Sequence, residues 1–126
     1  MNGLSVEERI SLSNIEFRAE NGITELVRIK MGKDYNPFVL ENSHSTADYC
    51  YRILNKSISS FPKVYSWLLL DGKMEEMALN SKKAKSVLEK ITKEESVSSE
   101  EIDEGINFFT KLIERCKEYV QRTKQI

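Results

Sequence analysis

Two cysteines, two prolines, one histidine and one tryptophan are all that 126 residues contain of these types. Each scarcity removes a class of protein. Cys50 and Cys116 are far apart and neither sits in a C-x-x-C pair, so a disulfide scaffold or thiolate zinc site is not indicated. Two reduced, mostly buried thiols are expected, although spacing alone leaves a disulfide open. No apolar run approaches the ~18 residues of a membrane span; the longest is Trp67-Leu68-Leu69-Leu70. The opening MNGLSVEERIS has two acids by its eighth position and no apolar stretch, so it does not read as a secretory signal. Charge of one sign is also missing. Lys plus Arg is 19 and Asp plus Glu is 20, a net charge of −1, which argues against a dedicated polyanion binder. P-loop, G-x-G-x-x-G, H-E-x-x-H and EF-hand patterns are absent. These absences point to a cytoplasmic protein with no membrane span and no cofactor.

What is present is a helical pattern. Hydrophobic residues make up 40%, enough for a core, and charged residues 31%, above the usual ~25%. The length suits one domain, residues 1–126. Lysine outnumbers arginine, and Ser, Asn and Ile are common, which hints at an AT-rich coding sequence and so at a bacterium or its phages.

Ser5-Val6-Glu7-Glu8 fits the capping box S-x-x-E and predicts a helix start. The next stretch carries two signals. Leu12, Ile15, Ala19, Ile23, Leu26 and Ile29 share an arc of ~120° at helical spacing. Yet Ile15–Ala19 and Val27–Met31 alternate strictly around Asn21-Gly22, as in a β-hairpin. A two-residue turn there would face Ile15 with Arg28 and set the apolar faces in conflict. A helix with a break or kink near Asn21-Gly22 is therefore favoured, and a hairpin at 15–31 is the alternative. Gly32 reads as a helix stop and Lys33–Asn42 as a loop, with Ser43 or Ser45 capping a helix that carries Ala47, Cys50, Tyr51, Leu54 and Ile58. Pro62 suits the first turn of a short helix through Val64–Leu70. Being apolar nearly all round, that helix is expected at the centre of the core with Trp67 deep inside. Asp71-Gly72 ends it. A helix over about Lys73–Lys93 buries Met74, Met77, Ala78, Ala84, Val87, Leu88 and Ile91.

Ser98 with Glu101 forms a second capping box, flanked by the staple pair Val97 and Ile102. The last helix places Glu100, Glu101, Asp103 and Glu104 in its first turns and Arg122 and Lys124 in its last, as the helix dipole favours. The fold read from these signals is an all-α bundle of about five helices with a long C-terminal helix. A helix over Ser99–Lys124 would be roughly 39 Å long, longer than so small a domain is thick. Its apolar stripe, Ile102, Ile106, Phe109, Ile113, Cys116 and Val120, is widened to roughly 160° by Phe108, Leu112 and Tyr119, where about 100° suffices for a surface helix. The extra flank calls for a second neighbour, either another helix of the chain or a partner. Leu112 is expected in the core and Tyr119, nearer the free end, as an exposed contact.

Convergent chemistry is thin. His44, with Asp48 one turn on, gives too few ligands for a metal, since three or four are normal. A Cys50–His44 nucleophile pair is disfavoured because a spacing of six separates the two around a helix. The acids around Glu94 and Glu101 are better explained by helix capping. Lys82, Lys83, Lys85, Lys90 and Lys93 are the candidate nucleic-acid face, but no arginine or aromatic residue lies among them. Tyr35, Phe38 and Tyr49 are candidate protein contacts, because aromatic residues are enriched at interface cores. The sequence reads as a non-enzymatic helical binding module of regulator, inhibitor or immunity type. It would act through an apolar helix face on another protein or a second copy of itself, with nucleic acid the alternative partner.

Overall fold

The computed structural model describes residues 3–124 and is 79% helical, with no strand among those residues. Four long helices, α1 (Val6–Lys30), α2 (Pro37–Leu54), α4 (Met74–Thr92) and α5 (Ser99–Lys124), make the bundle. A short α3 (Lys63–Tyr65) runs straight into a π turn, Ser66–Leu70. The side chain of Lys124, and Met1 and Asn2 of the N-terminal reading, lie outside the described residues.

Both capping boxes form. The Ser5 hydroxyl accepts from the Glu8 N–H at 3.0 Å while the Ser5 N–H donates to the Glu8 carboxylate. Ser98 and Glu101 exchange the same pair of bonds at the start of α5. α1 ends in a Schellman motif: Gly32 takes φ +72°, its N–H bonds the Ile29 carbonyl, and the Lys33 N–H bonds that of Arg28.

α1 is a single unbroken helix through Asn21-Gly22, so neither the break nor the hairpin occurs. Gly22 is buried against α5, where a Cβ would stand 2.7 Å from the Phe109 ring. The glycine permits close helix approach and is not a breaker here. α2 starts at Pro37, with its cap seven residues before Ser43, the nearer of the two expected caps. Asn36 is the cap, its side-chain oxygen accepting from the Phe38 and Val39 N–H groups, and Pro37 takes the first helical position where no N–H is needed. The buried carboxylate of Glu25 accepts the Asn36 N–H at 2.6 Å and ties this cap to α1. α2 also stops at Leu54, so Ile58 lies beyond it.

Neighbouring helices are antiparallel. Lys30 meets Asp103 at one end of the α1/α5 pair and Glu8 meets Tyr119 at the other. His44 meets Glu89 across α2/α4, and Glu76 meets Lys111 across α4/α5. Each long helix packs on two others, and α1 against α5 closes the four into a ring. Leu26, Leu88, Phe108, Phe109 and Leu112 fill its centre, each contributing about 1.5–3 kcal/mol by burial. The segment from α2 to α4 plugs one end of the ring with Val64, Leu68 and Leu69. At about two turns, Lys63–Leu70 is too short to run through a bundle of long helices. It is an end plug rather than a central helix, and Trp67 is half-buried rather than deep.

Candidate functional site

The widened flank of α5 is filled from within the chain. Phe108 and Leu112 are fully buried, and Tyr119 is 9% exposed. The Tyr119 hydroxyl donates to the Glu8 carboxylate on α1, and its ring lies 5.4 Å from that of Trp67. The C-terminal half of α5 therefore does not overhang the domain at Tyr119, because the end plug and the first turn of α1 rise to cover it. The expectation of an exposed Tyr119 is corrected on that ground. Burial and the bond to Glu8 push the Tyr119 phenol up to about 12, and the same bond holds the Glu8 carboxyl below its ordinary range.

Arg115 shares this flank and is almost fully buried. Its guanidinium donates to the carbonyls of Trp67 at 2.6 Å, Asp71 at 2.7 Å and Leu68 at 3.2 Å, and lies 4.0 Å from the Trp67 ring centre. These are carbonyls at the end of the π turn, which a helix terminus leaves without partners. A planar fork of donors satisfies three of them at once. Arg115 was not singled out in the sequence, although it falls within the same arc as Phe108, Leu112 and Tyr119.

The other candidates do not share one surface. Phe38 is 79% exposed at the start of α2. Tyr35 is half-buried and lines a groove of about 640 Å³ between α2 and α4, together with Leu40, His44, Glu89 and Thr92. Tyr49, another candidate contact, is half-buried and packs edge-on against Tyr65 with ring centres 5.1 Å apart. Tyr51 is also half-buried, beneath the Lys85 ammonium. Within the groove His44 Nε2 lies 3.3 Å from Glu89, which also pairs with Lys85 at 3.2 Å. Burial pulls the Glu89 carboxyl upward, but the bonds from Lys85 and His44 outweigh it and hold the group low. No cluster of three or more metal-ligating side chains occurs among the described residues. Cys50 and Cys116 are free and buried, and burial pushes the Cys50 thiol up to about 12, far from nucleophilic use.

The lysine face is interleaved with acids. Lys83 pairs with Glu104 at 2.7 Å, Lys85 with Glu89 and Asp48, and Lys90 with Glu101 at 2.6 Å. Lys82 and Lys93 are exposed. These pairs bridge α4 to its two neighbours, so much of the positive charge is compensated in place.

The feature the sequence reading missed is on α1. Val6, Ile10, Phe17, Val27 and Met31 are all exposed, Phe17 at 64% and Met31 at 61%. They share an outward arc of about 100° at helical spacing. Leu12, Ile15, Ala19, Gly22 and Leu26 cover the opposite, buried face. α1 thus buries one apolar face inside the bundle and carries further apolar side chains on its outward face, at both ends and at Phe17, interleaved with Ser13, Glu20 and Thr24.

An all-α ring with one unpartnered apolar helix face, and no convergent catalytic groups among its described residues, has the form of a helical protein-interaction module. The model of the family described as Iml2/Tetratricopeptide repeat protein 39 matches residues 20–122, most of the chain, and the chain belongs to that family. No curated protein and no solved structure matches it. None of its described helices is long and apolar enough to cross a membrane.

Proposed function

We propose that this protein is a non-enzymatic binding module of regulator or inhibitor type that engages a protein partner through the outer face of α1. The observation that carries the reading is the stripe Val6, Ile10, Phe17, Val27 and Met31, exposed together on one side of one helix. Single exposed apolar residues are ordinary on a protein surface, but five aligned on one helix face, interleaved with Ser13, Glu20 and Thr24, fit an interaction site. Membership of a tetratricopeptide-type family supports it, since helical repeats of that kind bury their faces by stacking on neighbours. The nucleic-acid alternative at Lys82–Lys93 is less well supported, because Lys83, Lys85 and Lys90 are already paired with carboxylates.

Two variants test the reading. Phe17→Glu places a charge in the middle of the stripe and touches no core residue; Lys82→Glu with Lys83→Glu reverses the lysine face. Association with protein should be lost in the first and kept in the second. The opposite pattern, with a steep fall of affinity in added salt, would favour nucleic acid.

A further inference from the structure

The spacing of the outer face of α1 is that of a heptad seam. Ile10, Phe17, Thr24 and Met31 recur every seventh residue, and Val6, Ser13, Glu20 and Val27 form the companion row. The seam spans between three and four heptads and is apolar at five of its eight positions, with Ser13, Glu20 and Thr24 polar around Phe17 in its middle. We propose that its occupant is a second copy of this chain, with the two α1 helices packed antiparallel across a two-fold axis. The proposal rests on the reading of α1 as the interaction face and names what covers it.

Self-complementarity carries the argument. A two-fold interface requires that if residue i meets residue j, then j meets i. In the register where residue numbers sum to 37, Val6 meets Met31 of the second copy and Ile10 meets Val27. Ser13 then meets Thr24, and Phe17 meets Glu20. Every aliphatic position faces an apolar one, and the two small hydroxyl residues face each other. At the centre each Phe17 ring lies along the methylene stem of the other copy's Glu20, whose carboxylate reaches solvent. On one flank of the seam Glu7 comes opposite Arg28 on both sides of the axis and Asn14 opposite Asn21, while on the other flank Arg9 comes opposite Lys30, a like-charge pair, and Glu16 opposite Ile23. Glu7, Asn14 and Arg28 are exposed, and Asn21 is half-buried. A parallel pairing in register sets Glu20 directly against Glu20 in the seam, which like-charge repulsion disfavours.

Light scattering on the whole chain across a concentration series, with cysteine cross-linking, tests this. Wild type should reach twice the chain mass as concentration rises. Phe17→Glu should weaken association by at least ~30-fold, as loss of a central anchor does, while circular dichroism stays unchanged. Glu20→Leu should strengthen it. For register, Ile10→Cys mixed with Val27→Cys should form a disulfide between copies under oxidised glutathione, while Ile10→Cys alone should not, because its two copies stand ~25 Å apart at 1.5 Å per residue. The native Cys50 and Cys116 are buried and do not compete. A wild type that is monomeric throughout overturns the proposal. So does a dimer indifferent to Phe17→Glu, or an Ile10→Cys variant that links to itself. A monomer that still binds a different protein, and loses it on Phe17→Glu, overturns the second copy while leaving α1 as the interaction face.

Discussion

The ring of Phe109 occupies the space that a side chain at Gly22 would need, with Cε2 2.7 Å and Cδ2 2.9 Å from the position of a Cβ there. Gly22 is therefore the point of close approach between α1 and α5. Alanine in a helix is favoured over glycine by about 1 kcal/mol, but forcing a methyl into a packed core costs about 1–3 kcal/mol. Gly22→Ala should lower stability by up to about 2 kcal/mol, and Phe109→Leu in the same chain should recover part of the loss. Urea unfolding of the two single variants and the double variant measures the coupling. A Gly22→Ala protein more stable than wild type by the full helix-propensity gain would contradict the close approach.

The pair Glu8–Tyr119 fastens the two ends of α1 and α5 and sets a pH window. The phenol is raised in the folded state, so its contribution is complete below its ordinary ~10 and is lost as pH rises through about 12. Glu8 is lowered, so its contribution is present above the ordinary carboxylate range and is lost as pH falls through its depressed value. Absorbance titration near 295 nm should show a phenol ionising at about 12 that disappears in Tyr119→Phe. Tyr119→Glu should lower the melting temperature sharply, because it sets two carboxylates together in a covered site. A melt unchanged by Tyr119→Glu would place the side chain in solvent.

Arg115 should matter more than any exposed charge. Arg115→Met leaves the carbonyls of Trp67, Leu68 and Asp71 without their donor, at about 3 kcal/mol or more. Arg115→Lys recovers little, since an ammonium on a flexible stem does not reproduce the fork. Urea midpoints together with tryptophan emission should report both the lost stability and a loosened end plug. A wild-type midpoint for Arg115→Met would show that the plug is held by packing alone.

The sequence made helix termini legible wherever a side chain states them. Ser5-Glu8, Ser98-Glu101 and Gly32 mark their ends by hydrogen-bonding chemistry that acts within a few residues. It was least legible where one pattern has two causes. In a helix, residues two apart point ~200° apart around the axis, so a helix apolar on both faces alternates as a strand does. Ile15, Phe17 and Ala19 do this, as do Val27, Ile29 and Met31. The alternation that resembled a hairpin was the trace of the exposed stripe. Asn36-Pro37 was misread for a related reason, because proline both ends one helix and starts the next. Tyr119 and Trp67 depended on where the segment between α2 and α4 folds back, which no local signal carries.

That the outer face of α1 is covered in solution is tested most directly by oxidative footprinting of the wild-type chain over a dilution series. Met31 and Phe17 lie on the face, Met74 is exposed elsewhere at 50%, and Met77 is buried. Modification of Met31 and Phe17 should fall as concentration rises, while Met74 stays reactive and Met77 stays protected. Equal labelling of Met31, Phe17 and Met74 at every concentration would show the stripe bare and contradict its covering by a second copy.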